Sequence, residues 1–179
     1  MNNFIKINEH VSLTDVREGD QASLVKYLND AEINANTLLI PYPYKIEDGN
    51  FFINLCRDRE AQYGHIVNWA IRNSEGEMIG GIGRLMKSDM GSTHKDEIGY
   101  WIAKSERNKG LMTEVVKGFS DYWFQNSGLV RIEAVIFPHN LASQRVVEKA
   151  DFEREAYCKM YHSKNGTPID GIMYVKFKS

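Results

Sequence analysis

The chain has 179 residues and a formal net charge of −2, enough length for one domain with a real core and too little positive charge for broad attraction to nucleic acid or membrane surfaces. No apolar run approaches the ~20 residues of a membrane span. The start MNNFIKINEH lacks the basic and apolar regions of a secretion signal, so a cytoplasmic chain is expected.

Val11–Arg17 alternates and reads as a first strand. Asp20 is placed to cap a helix whose Leu24, Val25 and Leu28 form one face. The stretch Ala31–Lys45 reads as irregular, because Asn34, Asn36, Pro41 and Pro43 oppose regular structure. Yet Leu38, Leu39, Ile40, Tyr42 and Tyr44 are bulky, so this stretch either packs on the core or forms an acceptor-side wall of a binding site. A second helix is predicted over Ile46–Arg57 with Phe51, Phe52 and Leu55 inward. Ile66–Arg72 and Met78–Met86 form a hairpin around the turn residues Asn73–Glu77. Gly80, Gly81 and Gly83 in its second arm imply close backbone approach or a bulge. Lys87–Lys95 is a polar loop.

The chain is organised around Asp96–Gly128. A strand Glu97–Ala103 runs into a charged turn, Lys104–Lys109, and a helix that begins near Gly110. Leu111, Val115, Phe119 and Tyr122 recur at helical spacing, and Gly128 reads as a left-handed stop. The first N–H groups of such a helix have no internal partner and its dipole favours an anion. Arg107, Asn108, Lys109 and Gly110 sit where a phosphate would rest, although an ordinary strand-to-helix connection looks the same. The chain has neither a G-x-G-x-x-G nor a P-loop pattern, so a phosphate-bearing ligand other than a dinucleotide or a P-loop nucleotide is needed. Val130–Pro138 comes next as a strand parallel to Glu97–Ala103. Asn140 caps a short helix to Ala150, and Phe152–His162 and Ile169–Lys178 make a final hairpin around Asn165-Gly166. The five histidines show no ligand-like spacing and the two cysteines, Cys56 and Cys158, read as apolar fillers, so no metal and no disulfide are expected. The predicted order is βααβββαβαββ, a single α+β domain over residues 1–179.

Arg107-Asn-Lys-Gly110-Leu-Met112 resembles the R-x-x-G-x-G/A signature of the GNAT superfamily of acyl-CoA N-acyltransferases, with Met112 where Gly or Ala is usual. Asn140-Leu-Ala-Ser143 and Val147-Glu148-Lys149-Ala150-Asp151-Phe152 resemble the N-x-x-S…E-K-x-G-F run of the ribosomal-protein N-terminal acetyltransferase branch, RimJ/RimL type, with Asp151 replacing Gly. The resemblance implies a mixed, mostly antiparallel sheet flanked by helices, in which the strands Glu97–Ala103 and Val130–Pro138 splay apart. Acetyl-CoA would lie in that gap as cosubstrate. Its pantetheine would pair with the strand at Trp101, Ile102 and Ala103, and its pyrophosphate would meet Arg107, Asn108, Lys109, Gly110, Leu111, Met112 and Thr113. Asn140 and Ser143 would also contact it.

Acyl transfer to an amine needs a neutral nucleophile, a stabilised oxyanion and help for the leaving thiolate. A backbone N–H near Trp101 or Ile102 is the oxyanion candidate. Glu97, acting through a water, is the candidate base, and a solvated strand-end carboxylate is its alternative reading. Ser143 is the candidate thiolate stabiliser, because the tyrosine that many GNAT enzymes place four residues farther on is Val147 here. Its alternative is a first-turn serine bonded within its own helix. The implied activity is N-acetylation of a primary amine, foremost a protein or peptide N-terminal α-amine. A polyamine or aminoglycoside acceptor, or a CoA-binding sensor without turnover, are the rivals. A homodimer is left open.

Overall fold

The computed structural model of the chain describes residues 3–85 and 93–179. Met86, the expected end of a strand, and residues 87–92 of the expected polar loop lie outside the described residues. The described elements form two compact units, and one strand contributes to both.

The first unit comprises Met1–Arg84 and Tyr100–Lys109. It opens with β1 (Phe4–Lys6) antiparallel to β2 (Ser12–Asp15). The sequence predicts only the second of these, as the longer Val11–Arg17, and misses β1, since three residues are too few to show a period. Helix α1 (Gln21–Leu28) starts after Asp20 as predicted, but Asp20 does not cap it with its side chain. The carboxylate instead takes Arg72 Nη1 and Nη2, each at 2.8 Å, and the Arg17 N–H at 2.9 Å. Arg72 Nε donates to Thr14 Oγ1, and its remaining Nη protons to the carbonyls of Gly76 and Asp15. The buried ion pair is therefore fully hydrogen-bonded, the condition under which buried charge is tolerated.

Helix α2 (Ala31–Asn36) corrects the reading of Ala31–Lys45 as wholly irregular. Asp30 caps it by accepting the Glu32 N–H at 2.8 Å, and Ile33 buries its apolar face. Residues 37–45 are irregular, as predicted. Helix α3 (Ile46–Tyr63) runs past Arg57 and ends on Gly64 in the left-handed region. It buries Gly49, Ile53 and Cys56; of the three residues expected inward, Phe52 and Leu55 are half-buried, with Phe52 packed on the core, and Phe51 is 70% exposed. Strands β3 (Asn68–Arg72) and β4 (Met78–Arg84) form the predicted hairpin. Close approach at the β4 glycines holds. A Cβ on Gly80 would lie 2.7 Å from the Trp101 carbonyl oxygen, and one on Gly81 2.7 Å from the Trp101 indole nitrogen. The core gathers Leu24, Leu28, Ile33, Tyr44, Ile53, Ala70 and Met78, with Ile40, Phe52 and Trp101 on its rim.

Strand β5 (Lys95–Ile102) gives its last residues to the first unit and Lys95–Gly99 to the second. The second unit also holds α4 (Leu111–Asn126), β6 (Arg131–Ile136), α5 (Leu141–Lys149), β7 (Glu153–Lys164) and β8 (Thr167–Phe177). Strand β6 is parallel to β5, as the strand–helix–strand order requires, and antiparallel to β8, which pairs with β7. The other described ladders, β1–β2 and those of β3, are antiparallel. The β7–β8 hairpin turns at Asn165 (φ 51°) and Gly166 (φ 79°), the predicted two-residue loop. Helix α4 does not end on a left-handed Gly128. Its cap is Ser127, extended at φ −142° and ψ 175°. Ser127 Oγ donates to the Trp123 carbonyl and Asn126 Nδ2 to that of Tyr122, so side chains satisfy the last turn. The order is that of an α+β protein with one strand and one helix more than the sequence predicts.

Candidate active site

In the second unit, the β5–β6 ladder pairs Lys95 with Arg131, Asp96 with Ile132 and Glu97 with Glu133, and stops there. Strand β6 continues against β8 as far as Ile136. The parallel pair is thus splayed beyond Glu97. Glu97 is 5% exposed, which removes the reading of a solvated strand-end carboxylate. Its register partner Glu133 is also buried and accepts from Arg131 Nε at 2.7 Å and Lys95 Nζ at 3.0 Å. Burial pushes Glu133 up, but these two cations outweigh it and hold the carboxyl below its ordinary range. Sequence reasoning missed this cluster. Its signal is a charged residue at an inward position of an apolar strand, which requires a partner.

Gly110 leads into α4 at φ 79°, ψ −9°, a left-handed conformation that a β-carbon disfavours. The Thr113 N–H already reaches the Gly110 carbonyl at 3.0 Å and Glu114 N–H reaches it at 3.3 Å. Of the expected phosphate donors in this unit, Leu111 and Met112 are therefore the first-turn amides that the helix does not use itself. Asn140 caps α5 by accepting the Ser143 N–H at 3.1 Å, as predicted. The cap uses its oxygen, which leaves the Nδ2 amide for a ligand. Ser143 sits half-buried on the first turn of α5, and Val147, one turn on, is fully buried. Tyr174 reaches α5 from β8, donating to Glu148 at 2.9 Å. Burial and then Glu148 push its phenol up to about 12, so it stays protonated.

The first unit holds the other expected residues. Ala103 N–H donates to the Ile79 carbonyl of β4 at 2.8 Å, and the Trp101 carbonyl lies on that same edge. Because successive residues of a strand point their amides to opposite edges, Ile102 is the residue of the three whose N–H is directed away from β4. Arg107 does not point its charge into an open turn. Its Nη2 donates to Asp30 and its Nη1 to Glu32, each at 2.6 Å. Asn108 is left-handed at φ 62°, and Lys109 Nζ donates to Glu106 at 3.0 Å. Among the described residues no group of three or more His, Cys, Asp or Glu is arranged to hold a metal, and no helix is long and apolar enough to cross a membrane.

The Acetyltransferase (GNAT) domain family matches residues 10–153. The chain belongs to the GNAT acetyltransferases. Among GNAT relatives, it is 36% identical to an uncharacterized N-acetyltransferase of Bacillus subtilis, YoaA, over 60% of this chain and 60% of that protein. It is 33% identical to the [ribosomal protein uS5]-alanine N-acetyltransferase of Escherichia coli, over 55% of this chain and 50% of that one. The chain spans about three fifths of the length of the first curated relatives it matches. A GNAT acetyltransferase structure from Bacillus anthracis superposes with a TM-score of 0.82 over 97% of this chain and 98% of that one, at 24% identity, a likeness of fold.

Proposed function

We propose that the chain acts as one acetyl-CoA-dependent N-acetyltransferase domain over residues 1–179, in the cytoplasm, with a peptide or protein N-terminal α-amine as acceptor. The observation that carries the reading is the parallel β5–β6 pair that opens after Glu97 and Glu133. An opened ladder offers backbone N–H and C=O groups that the amides of a pantetheine arm satisfy. The free first-turn amides of α4 suit its pyrophosphate and the Asn140 amide suits the arm. In the reaction the amine nitrogen attacks the thioester carbonyl carbon, and the C–S bond breaks with its electron pair leaving on sulfur. The amine proton passes to Glu97 through a water. Ser143 donates a hydrogen bond to the sulfur, which leaves as thiolate and takes a proton from solvent to become CoA thiol, while Glu97 returns its proton to solvent through the same water. Ile102 N–H is the backbone group assigned to the developing oxyanion.

The acceptor is argued from proton arithmetic. An α-amine has a reference pKa of about 7.7–8.0 and lysine about 10.4, so at pH 7 roughly a tenth of the first is neutral and well under a thousandth of the second. One carboxylate acting through water suffices for the first. The naming of the E. coli relative for alanine N-acetylation of a ribosomal protein supports the same class. The test is mass spectrometry of a peptide carrying both a free N-terminus and an internal lysine, with spermidine and an aminoglycoside as competitors. Acetylation of the α-amine is expected. Predominant lysine acetylation or faster turnover of spermidine overturns the acceptor assignment, and CoA binding without thiol release from any amine leaves a binding module.

A further inference from the structure

Strand β6 leaves its two neighbours one after the other. Its pairing with β5 stops at Glu133 and its pairing with β8 at Ile136. The crossing from Phe137 to Asn140 must then find partners for its own backbone polar groups. The Phe137 carbonyl accepts the Asn140 N–H at 2.9 Å, and the His139 carbonyl accepts the Leu141 N–H at 3.0 Å. The Pro138 carbonyl is met by a side chain. Gln144 Nε2 donates to it at 3.0 Å and lies 3.5 Å from the Phe137 carbonyl. The other end of the same amide, Oε1, faces the Tyr174 hydroxyl at 3.4 Å, and that hydroxyl donates at 2.9 Å to Glu148, one turn on. Two carbonyls on one side and a hydroxyl on the other fix which way the amide points. Tyr174 is 1% exposed on β8, so the Gln144 amide links the packed sheet to the crossing. The Gln144 N–H also donates to the Asn140 carbonyl at 3.2 Å. Gln144 therefore holds Asn140 by its backbone and the turn before it by its side chain.

We infer that Gln144 is a positioning residue for the cofactor, fixing the crossing so that Asn140 presents its Nδ2 amide in one place. The Asn140 oxygen is committed to the Ser143 N–H at 3.1 Å, so the place of its amide nitrogen follows from the place of the turn. Pro138 is half-buried, and a carbonyl left unmet there carries a desolvation cost that a shifted turn relieves. The inference rests on the N-acetyltransferase reading, in which Asn140 meets the arm of acetyl-CoA, and its test separates the two. Gln144→Met keeps the length of the side chain without its hydrogen bonds. Gln144→Glu keeps the shape and sets a carboxylate against the Pro138 carbonyl. Asn140→Asp keeps the cap oxygen and removes the amide. Acetyl-CoA Kd is measured by calorimetry well below the melting temperature of each variant. Amide hydrogen exchange at Ser143 and Gln144 reports on the first turn of α5 with no ligand present. Both Gln144 variants should weaken acetyl-CoA binding by about tenfold and speed that exchange. In the Asn140→Asp background, Gln144→Met should change Kd by less than about twofold, because the group it positions is gone. Faster exchange with an unchanged Kd leaves Gln144 a purely structural role and overturns the inference. Equal losses of affinity in the two backgrounds mean that Gln144 acts without Asn140, which overturns it too, as does unchanged exchange in Gln144→Met. Absent acetyl-CoA binding by the wild-type protein overturns the N-acetyltransferase reading, and the positioning role with it, whatever the exchange rates.

Discussion

Ser143 and Val147 lie one turn apart on α5 and differ in what they can offer a ligand. Val147 is completely buried, so a tyrosine there would overpack the core, at a cost of about 1–3 kcal/mol, before it could reach any sulfur. Ser143 is half-buried on the first turn. If it stabilises a thiolate, its bond strengthens as the sulfur gains charge. Ser143→Ala should then lower kcat by about 10- to 100-fold, the worth of one hydrogen bond to a charged group, and leave acetyl-CoA affinity nearly unchanged. Pre-steady-state acetyl transfer checks this, and an unchanged chemical step returns Ser143 to a role within its helix. Both Ser143 and Glu97 are legible in the sequence as positions in a motif. The burial of Glu97 is not, because it comes from the pairing of β5 with a strand more than thirty residues downstream.

The elements show where short-range signals suffice. Helix α4 is legible from its spacing and α5 from its Asn140 cap, since both depend on residues three or four apart. The stop of α4 is not, because Ser127 and Asn126 satisfy the carbonyls that a left-handed glycine turn satisfies elsewhere. Gly128→Ala tests this, because nothing lies within 4 Å of the added carbon and φ is not left-handed. It should stabilise the protein by about 0.4–1 kcal/mol through the unfolded chain, whereas a left-handed stop would be weakened. Gly80→Ala should do the reverse. Its Cβ would meet the Trp101 carbonyl at 2.7 Å, and a backbone atom cannot turn aside. A loss of about 1–3 kcal/mol is expected, read as a lower urea midpoint at unchanged m value.

For the whole molecule, the depressed carboxyls give each unit a share in acid sensitivity. Asp30 lies in the first unit and Glu133 in the second, with ordinary values of 3.8 and 4.5. A carboxyl whose folded pKa is depressed binds fewer protons folded than unfolded, so its contribution is complete above those values. It is lost as pH falls through the lower folded values. Unfolding free energy should therefore be flat near neutrality and decline below about pH 4.5. Glu133→Gln should be less stable at pH 7, where Lys95 loses its carboxylate partner and Arg131 keeps only Glu155, and should show a shallower decline in acid. Urea titrations from pH 3 to 7 check both, and an equally steep acid limb in the variant would refute the assignment to Glu133.

The class of most elements, the parallel strand pair, the glycine-led turn before α4, the Asn140 cap and the family are all written in the chain. They rest on periodicity, turn chemistry and motif spacing, which are local. Long-range packing alone sets the Asp20–Arg72 buried pair, the outward Phe51 beside inward Ile53 and Cys56, the place of Glu133 next to Glu97, and the commitment of Arg107 to Asp30 and Glu32. It also selects Ile102, and not Trp101 or Ala103, as the residue that directs its amide away from β4. The physical reason is common to the charged pairs and the strand edge. A long charged side chain or a strand edge takes whichever partner the fold brings within about 3 Å, and those partners come from residues tens of positions away.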